Sequence, residues 1–163
     1  MRCYLDIETT GIGWKHEEVT VVGLALEQGQ EQEMKVIQLV GEAISAARLI
    51  ESLRGVERIY TYNGSRFDLP FLRGRLGVNL ETVFAHRDLM YDCWKHKLKG
   101  GLKKVEQTLG IARATQGIDG WMAVRLWWNY VNNQDRQSLR MLLEYNREDV
   151  INLRTLREKL CVP

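Results

Sequence analysis

Cys3-Tyr4-Leu5-Asp6-Ile7-Glu8-Thr9-Thr10-Gly11 places two carboxylates in a run that otherwise reads as a buried strand. Cys3 to Ile7 has the character of a short strand in a protein interior, and Thr9-Thr10-Gly11 ends it in a polar turn. Asp6 and Glu8 stand two apart, so on a strand both side chains leave from the same face. A buried strand seldom carries two acids on one side unless something positive lies between them. The other reading ends the strand at Leu5 and leaves both acids in solvated loop, and spacing alone leaves the two open. The turn that follows lies at a strand's carboxyl end, where α/β proteins usually bind ligands.

Working outward, Val19 to Leu26 is rich in β-branched residues and reads as a second strand, Gln28-Gly29-Gln30 as a turn, and Met34 to Val40 as a third strand. The three make an antiparallel meander. Glu42 to Leu53 carries a helical stripe, Arg58 to Tyr62 is a fourth strand, and Leu69 to Leu76 is a helix closed by Gly77. Leu89 to Trp94 is undecided between strand and helix. Leu102, Val105 and Leu109 repeat at helical spacing, Trp121 to Val131 is a helix, and the longest helix runs from about Asp135 to Leu160. Three strands followed by alternating helix and strand imply an α/β domain with a mixed sheet.

The 163 residues suit one domain, with 45% hydrophobic and 27% charged residues in the range of ordinary globular proteins. Lys and Arg total 23 against 21 Asp and Glu, so net charge alone argues weakly for nucleic acid. Local charge says more: Lys95 to Lys104 holds five lysines and His96. That run suits either phosphate contact or a solvated face. Cys3, Cys93 and Cys161 are odd in number and far apart, which fits neither a zinc site nor a disulfide framework. Met1-Arg2 leads straight into strand without a signal-peptide core, and no window is apolar enough for a membrane span. The expectation is a soluble, cytoplasmic protein.

Two further acids stand in distinctive settings. Asp68 precedes Leu69-Pro70, so it suits a helix N-cap as well as a metal ligand. Asn63-Gly64 reads as the turn closing the fourth strand. Tyr145 and Asp149 are four apart on the last helix and share a face; a half-buried tyrosine beside an exposed acid is the plain alternative, and Glu148 reads as solvated. Trp121, Trp127 and Trp128 offer either stacking surfaces for unpaired bases or core packing. Asp6, Glu8, Asp68 and Asp149 come from three distant segments. Gathered by a fold, they would need cations, and an all-oxygen set selects Mg²⁺ or Mn²⁺. A centre of that kind hydrolyses phosphate esters.

Asp6-x-Glu8-Thr9-Thr10-Gly11, Asn63-x-x-x-Phe67-Asp68 and Tyr145-x-x-x-Asp149 together resemble the three motifs of the DnaQ-like, DEDD-type 3′–5′ exonucleases of the ribonuclease-H-like fold. Glu144 stands where the histidine subclass carries its His, and Tyr145 marks the tyrosine subclass. The likeness is strongest toward the YprB-like branch of predicted exonucleases and extends through Tyr60 to Leu72, Leu102 to Ile111 and Leu142 to Val150.

The resemblance implies one ribonuclease-H-like domain over residues 1–163, with a mixed five-stranded sheet and helices on both faces. It implies two Mg²⁺ or Mn²⁺ ions: Asp6 bridges both, Glu8 and Asp149 complete one, and Asp68 holds the other mainly through water. Tyr145 would orient the attacking water. Thr9, Thr10, Gly11, Asn63 and Phe67 would meet the terminal nucleotide of a single-stranded or frayed 3′ end of DNA or RNA. Two other classes stand beside it: a nuclease fold kept as a binding or scaffold module, which a lost carboxylate would have favoured, and an endonuclease of the same broad fold, which does not call for Tyr-x-x-x-Asp on a helix.

Overall fold

The structure, a computed structural model, describes residues 1–29 and 34–163. The central strand, β1 (Arg2–Thr9), pairs antiparallel with β2 (Val19–Glu27) and parallel with β4 (Arg58–Thr61). β3 (Lys35–Val40) lies outside β2, and β5 (Ala85–Asp88) lies parallel outside β4, giving the order β3-β2-β1-β4-β5. The sheet is mixed and five-stranded, and the antiparallel meander is its first half. The expected turn at Gln28-Gly29-Gln30 falls partly outside the described residues.

The alternation of β1 sorts the helices onto two faces. Cys3, Leu5 and Ile7 pack with Leu49 and Leu53 around α1 (Ala46–Ser52), and with Leu69, Phe71 and Leu72 of α2 (Asp68–Leu76). Tyr4 points the other way. It packs among residues of α3 (Leu89–Lys95), α4 (Leu102–Leu109) and α6 (Arg136–Lys159). Asp6 and Glu8 are in register with Tyr4, so they face the α6 side. α5 (Gly120–Asn133) joins through Ala123 and Leu126 against Val21, Leu142 and Tyr145.

α6 runs for 24 residues. Asp135 caps it, accepting from the N–H groups of Gln137 at 3.0 Å and Ser138 at 3.3 Å. Leu142, Val150, Leu153 and Leu156 are buried along one side, each contributing on the order of 1.5–3 kcal/mol. Tyr145, Asn146 and Asp149 are buried on the same helix.

Three elements differ from the sequence reading. β5 has no apolar alternation: Ala85-His86-Arg87-Asp88 is an edge strand with its first three residues exposed or half-buried. α1 starts at Ala46, where Ser45 caps it by accepting from Arg48 N–H at 3.2 Å, and Gly41–Ala43 forms a separate 3₁₀ turn. The undecided segment after Asp88 is helical. Among the described residues no helix is long and apolar enough to cross a membrane.

Candidate metal centre and its cleft

β1 stays a strand through Thr9, with a register irregularity between Glu8 and Thr9. Both acids therefore sit on strand, and the solvated-loop alternative is excluded. Glu8 is buried and Asp6 half-buried. Across from them, α6 brings up Asp149, which is buried rather than exposed. One carboxylate oxygen from each of Asp6, Glu8 and Asp149 lies within 4.8 Å of the others.

Asp68 arrives from the opposite face. The helix N-cap is Phe67, with no side-chain cap bond, so Asp68 is not the cap. Its Oδ1 instead accepts from the Ile7 N–H at 3.0 Å, tying the start of α2 to the backbone between Asp6 and Glu8. The turn leading into it is tightly built: Asn63 takes a positive φ of 61°, and a Cβ on Gly64 would lie 2.2 Å from Thr61 Oγ1. Asp88 holds this turn, accepting from Asn63 N–H at 2.8 Å and Ser65 N–H at 3.1 Å, and from the Ser65 hydroxyl.

Charge crowding is visible in the proton equilibria. Burial, then the charges of Asp149, Glu8 and Asp68, hold Asp6 well above the carboxylate range. Burial, then Asp149 and Asp68, does the same to Glu8. Burial pushes Asp68 up to about 7. Burial also raises Asp149, but only to about 6, because Arg113 opposes it. An all-oxygen cluster that resists ionisation without a partner fits a hard divalent cation.

Two cations flank the cluster. Arg113 Nη2 donates to Asp149 Oδ1, and the same guanidinium grips buried Glu106 at 2.8 and 2.9 Å. Lys103 Nζ donates to the Tyr145 hydroxyl at 2.8 Å and to the Ile118 carbonyl. Burial lowers the Lys103 pKa, and burial together with nearby Asp149, Glu8 and Asp6 raises that of the Tyr145 phenol. Tyr145 therefore stays protonated at neutral pH. Glu148, read as solvated, accepts from Ala114 N–H at 2.6 Å and Thr115 N–H at 2.8 Å and holds the α4–α5 connection onto α6.

The acids floor a cleft of about 360 Å³ lined also by Thr9, Gly11, Asn63, Phe67 and Tyr145. Its rim is apolar: Ile12 is 80% and Trp121 70% exposed, and both line the opening. Core packing thus describes Trp127, which packs beside Leu142 and Tyr145, but not Trp121. Thr10 does not line the cleft. Its hydroxyl donates to Glu17 Oε2 at 2.5 Å and accepts from Glu18 N–H at 2.9 Å, closing the loop between β1 and β2.

Sequence reasoning missed Arg113, Asn146 and Asp88 and did not place Lys103 at the centre. Asn146 had a signal, since it repeats with Leu142, Val150 and Leu153 on the buried side of α6. Arg113 lies in a connection without periodicity, and nothing local points it at Asp149.

A family described as the RNase_H superfamily matches residues 3–161. The chain is 28% identical over 167 residues to the uncharacterized protein YprB of Bacillus subtilis (strain 168), covering 94% of this chain and 40% of YprB. It therefore spans two fifths of the curated relative it matches. Among solved structures it resembles the family B DNA polymerase of Pyrobaculum calidifontis, with TM-score 0.72 and 19% identity over 98% of this chain and 24% of the polymerase. It also resembles Brucella melitensis NrnC with bound Mg²⁺, with TM-score 0.51 and 15% identity over 99% of this chain and 84% of NrnC. At these identities the two structures speak for the fold.

Proposed function

Since the chain belongs to the RNase_H superfamily, we propose that it is a divalent-metal-dependent 3′–5′ exonuclease acting on single-stranded DNA or RNA. One observation carries the reading: Asp6 and Glu8 of the central strand meet Asp149 of the last helix within 4.8 Å, beside the Tyr145 phenol. Asp6, Glu8 and Asp149 would hold Mg²⁺ or Mn²⁺, two ions in this reading, and Asp68, which lines the same cleft, would complete the set. Bound there, the ions supply the positive charge that stabilises attacking and leaving oxygens together in an in-line displacement.

The chain's own groups do the rest. Tyr145, neutral and held by Lys103, offers its phenol to orient the attacking water. Lys103 places a cation beside the floor of acids and contributes to holding the phosphate. Thr9, Gly11, Asn63 and Phe67 line the cleft where the terminal nucleotide sits, and Thr10 contributes by shaping the loop that carries Gly11. The apolar rim of Ile12 and Trp121 suits unpaired bases, whose faces stack on such surfaces. A cytoplasmic setting suits the three free thiols Cys3, Cys93 and Cys161.

The test is purified protein with Mg²⁺ or Mn²⁺ against 5′-labelled single-stranded DNA and RNA, each beside its circular form. Stepwise shortening of the linear strands, untouched circles and loss of turnover in Asp6→Asn and Asp149→Asn are the expected results. Cuts in the circles, or full activity in EDTA, would overturn the proposal.

A further inference from the structure

Asn146 is completely buried in the middle of α6, in contact with a strand it does not belong to. Its Nδ2 donates to Asp6 Oδ2 at 3.0 Å, and its Oδ1 accepts from Gln38 Nε2 at 3.0 Å. Gln38 Nε2 also donates to the Leu143 carbonyl at 2.8 Å. We infer that Asn146 is a positioning residue for Asp6, fixed by an amide relay that begins at Gln38 and requires the bare backbone of Gly23.

The direction of the relay is forced by its ends. A carbonyl only accepts, so Leu143 turns the Gln38 amide NH₂ toward α6. That NH₂ then meets Asn146 Oδ1, and the Asn146 NH₂ is left facing Asp6, where the carboxylate also accepts. Flipping Gln38 would set its oxygen against the Leu143 carbonyl, and flipping Asn146 would set its NH₂ against that of Gln38.

The register supplies the room. Asp6 stands opposite Gly23, and Gly23 opposite Gln38, in one row across β1, β2 and β3. Gln38 is two strand spacings from Asp6, roughly 10 Å, so an intermediate is needed to join them. Asn146 lies over Gly23 as that intermediate. A Cβ at Gly23 would be 2.2 Å from Asn146 Oδ1 and 2.8 Å from its Cγ. Those are buried atoms of a side chain bonded at both ends, so it has nowhere to yield.

The role follows from the charges. Asp6 is crowded by Glu8 and Asp149, and a free carboxylate would rotate away from both. Asn146 holds Asp6 through its Oδ2 before any cation arrives, so binding needs less rearrangement. The inference rests on the metal-centre reading above.

The experiment is calorimetric titration of Mn²⁺ into wild type, Asn146→Ala, Gly23→Ala, the double variant and Gln38→Leu, with folding checked by circular dichroism. Asn146→Ala should weaken Mn²⁺ binding on the order of 10- to 100-fold, as loss of a group that orients a metal ligand does. Gly23→Ala should weaken it comparably by displacing Asn146. The double variant should bind no worse than Asn146→Ala alone, because the new methyl then fills vacated space. Gln38→Leu should weaken binding in the same direction, and it carries the test should Asn146→Ala not fold. Unchanged Mn²⁺ affinity in folded Asn146→Ala or Gln38→Leu, or additive losses from the Gly23 and Asn146 changes, would overturn the relay while leaving the metal centre. No Mn²⁺ binding by wild type would overturn both.

Discussion

Tyr145 holds its phenol between Lys103 and three carboxylates, and that surrounding keeps the proton on it. A protonated phenol can orient water but not deprotonate it. Tyr145→Phe should therefore lower kcat by roughly 10- to 1000-fold, the range for one positioning hydrogen bond, while calorimetric Mn²⁺ affinity stays near wild type. Asp68 supplies a prediction about pH. Its folded pKa of about 7 stands above the ordinary 3.8, so the stability it contributes is complete below 3.8 and is lost as pH rises through about 7. In EDTA, the melting temperature of wild type should accordingly fall relative to Asp68→Asn across that window, and Mn²⁺ should reverse the trend. A constant difference between the two proteins would show that Asp68 titrates normally.

At the scale of elements, the parts that the sequence made legible are those governed by one local rule. The spacing of Asp6 and Glu8 gave a shared face because β1 alternates; Gly77 closed α2 because its φ of 68° suits glycine. Tyr145 and Asp149 shared a face because α6 is continuous. What stayed hidden depends on neighbours. β5 is held by pairing with β4, not by its own pattern. Asp88 caps α3 by accepting from Met90 N–H at 3.1 Å, a local role, and also pins the Asn63–Ser65 turn, which no local rule reveals. Its removal leaves the buried Met90 N–H unmatched, at a cost of about 1–3 kcal/mol, and three part-buried donors of the Asn63–Ser65 turn besides. Asp88→Ala should thus lower unfolding free energy by more than about 2 kcal/mol, measured by urea denaturation, whereas Asp88→Asn should lose less.

Across the whole molecule, the lysine-rich segment divides by position. Lys104 is exposed, whereas Lys103 reaches through to Tyr145. The sequence treated the pair as one outer patch, because one residue's difference on a short helix is invisible until α6 is in place. Lys103→Met should reduce kcat, and Lys104→Ala should raise KM and flatten its salt dependence while sparing kcat. Equal kinetic signatures for the two would remove Lys103 from the centre.

The row of Gln38, Gly23 and Asp6, with Asn146 laid over it, spans β1, β2, β3 and α6, and its partners most distant in sequence, Asp6 and Asn146, are 140 residues apart. Ordering that row is a matter of timing as well as geometry. Closing contacts this distant carries a loop-entropy cost that local helices and the first hairpin do not carry. During refolding, helical ellipticity should recover before the capacity to take up Mn²⁺, in two resolved phases. A chain still being synthesised would then carry its acids scattered until α6 docks, so the gathering of Asp6, Glu8 and Asp149 is the last property the fold acquires.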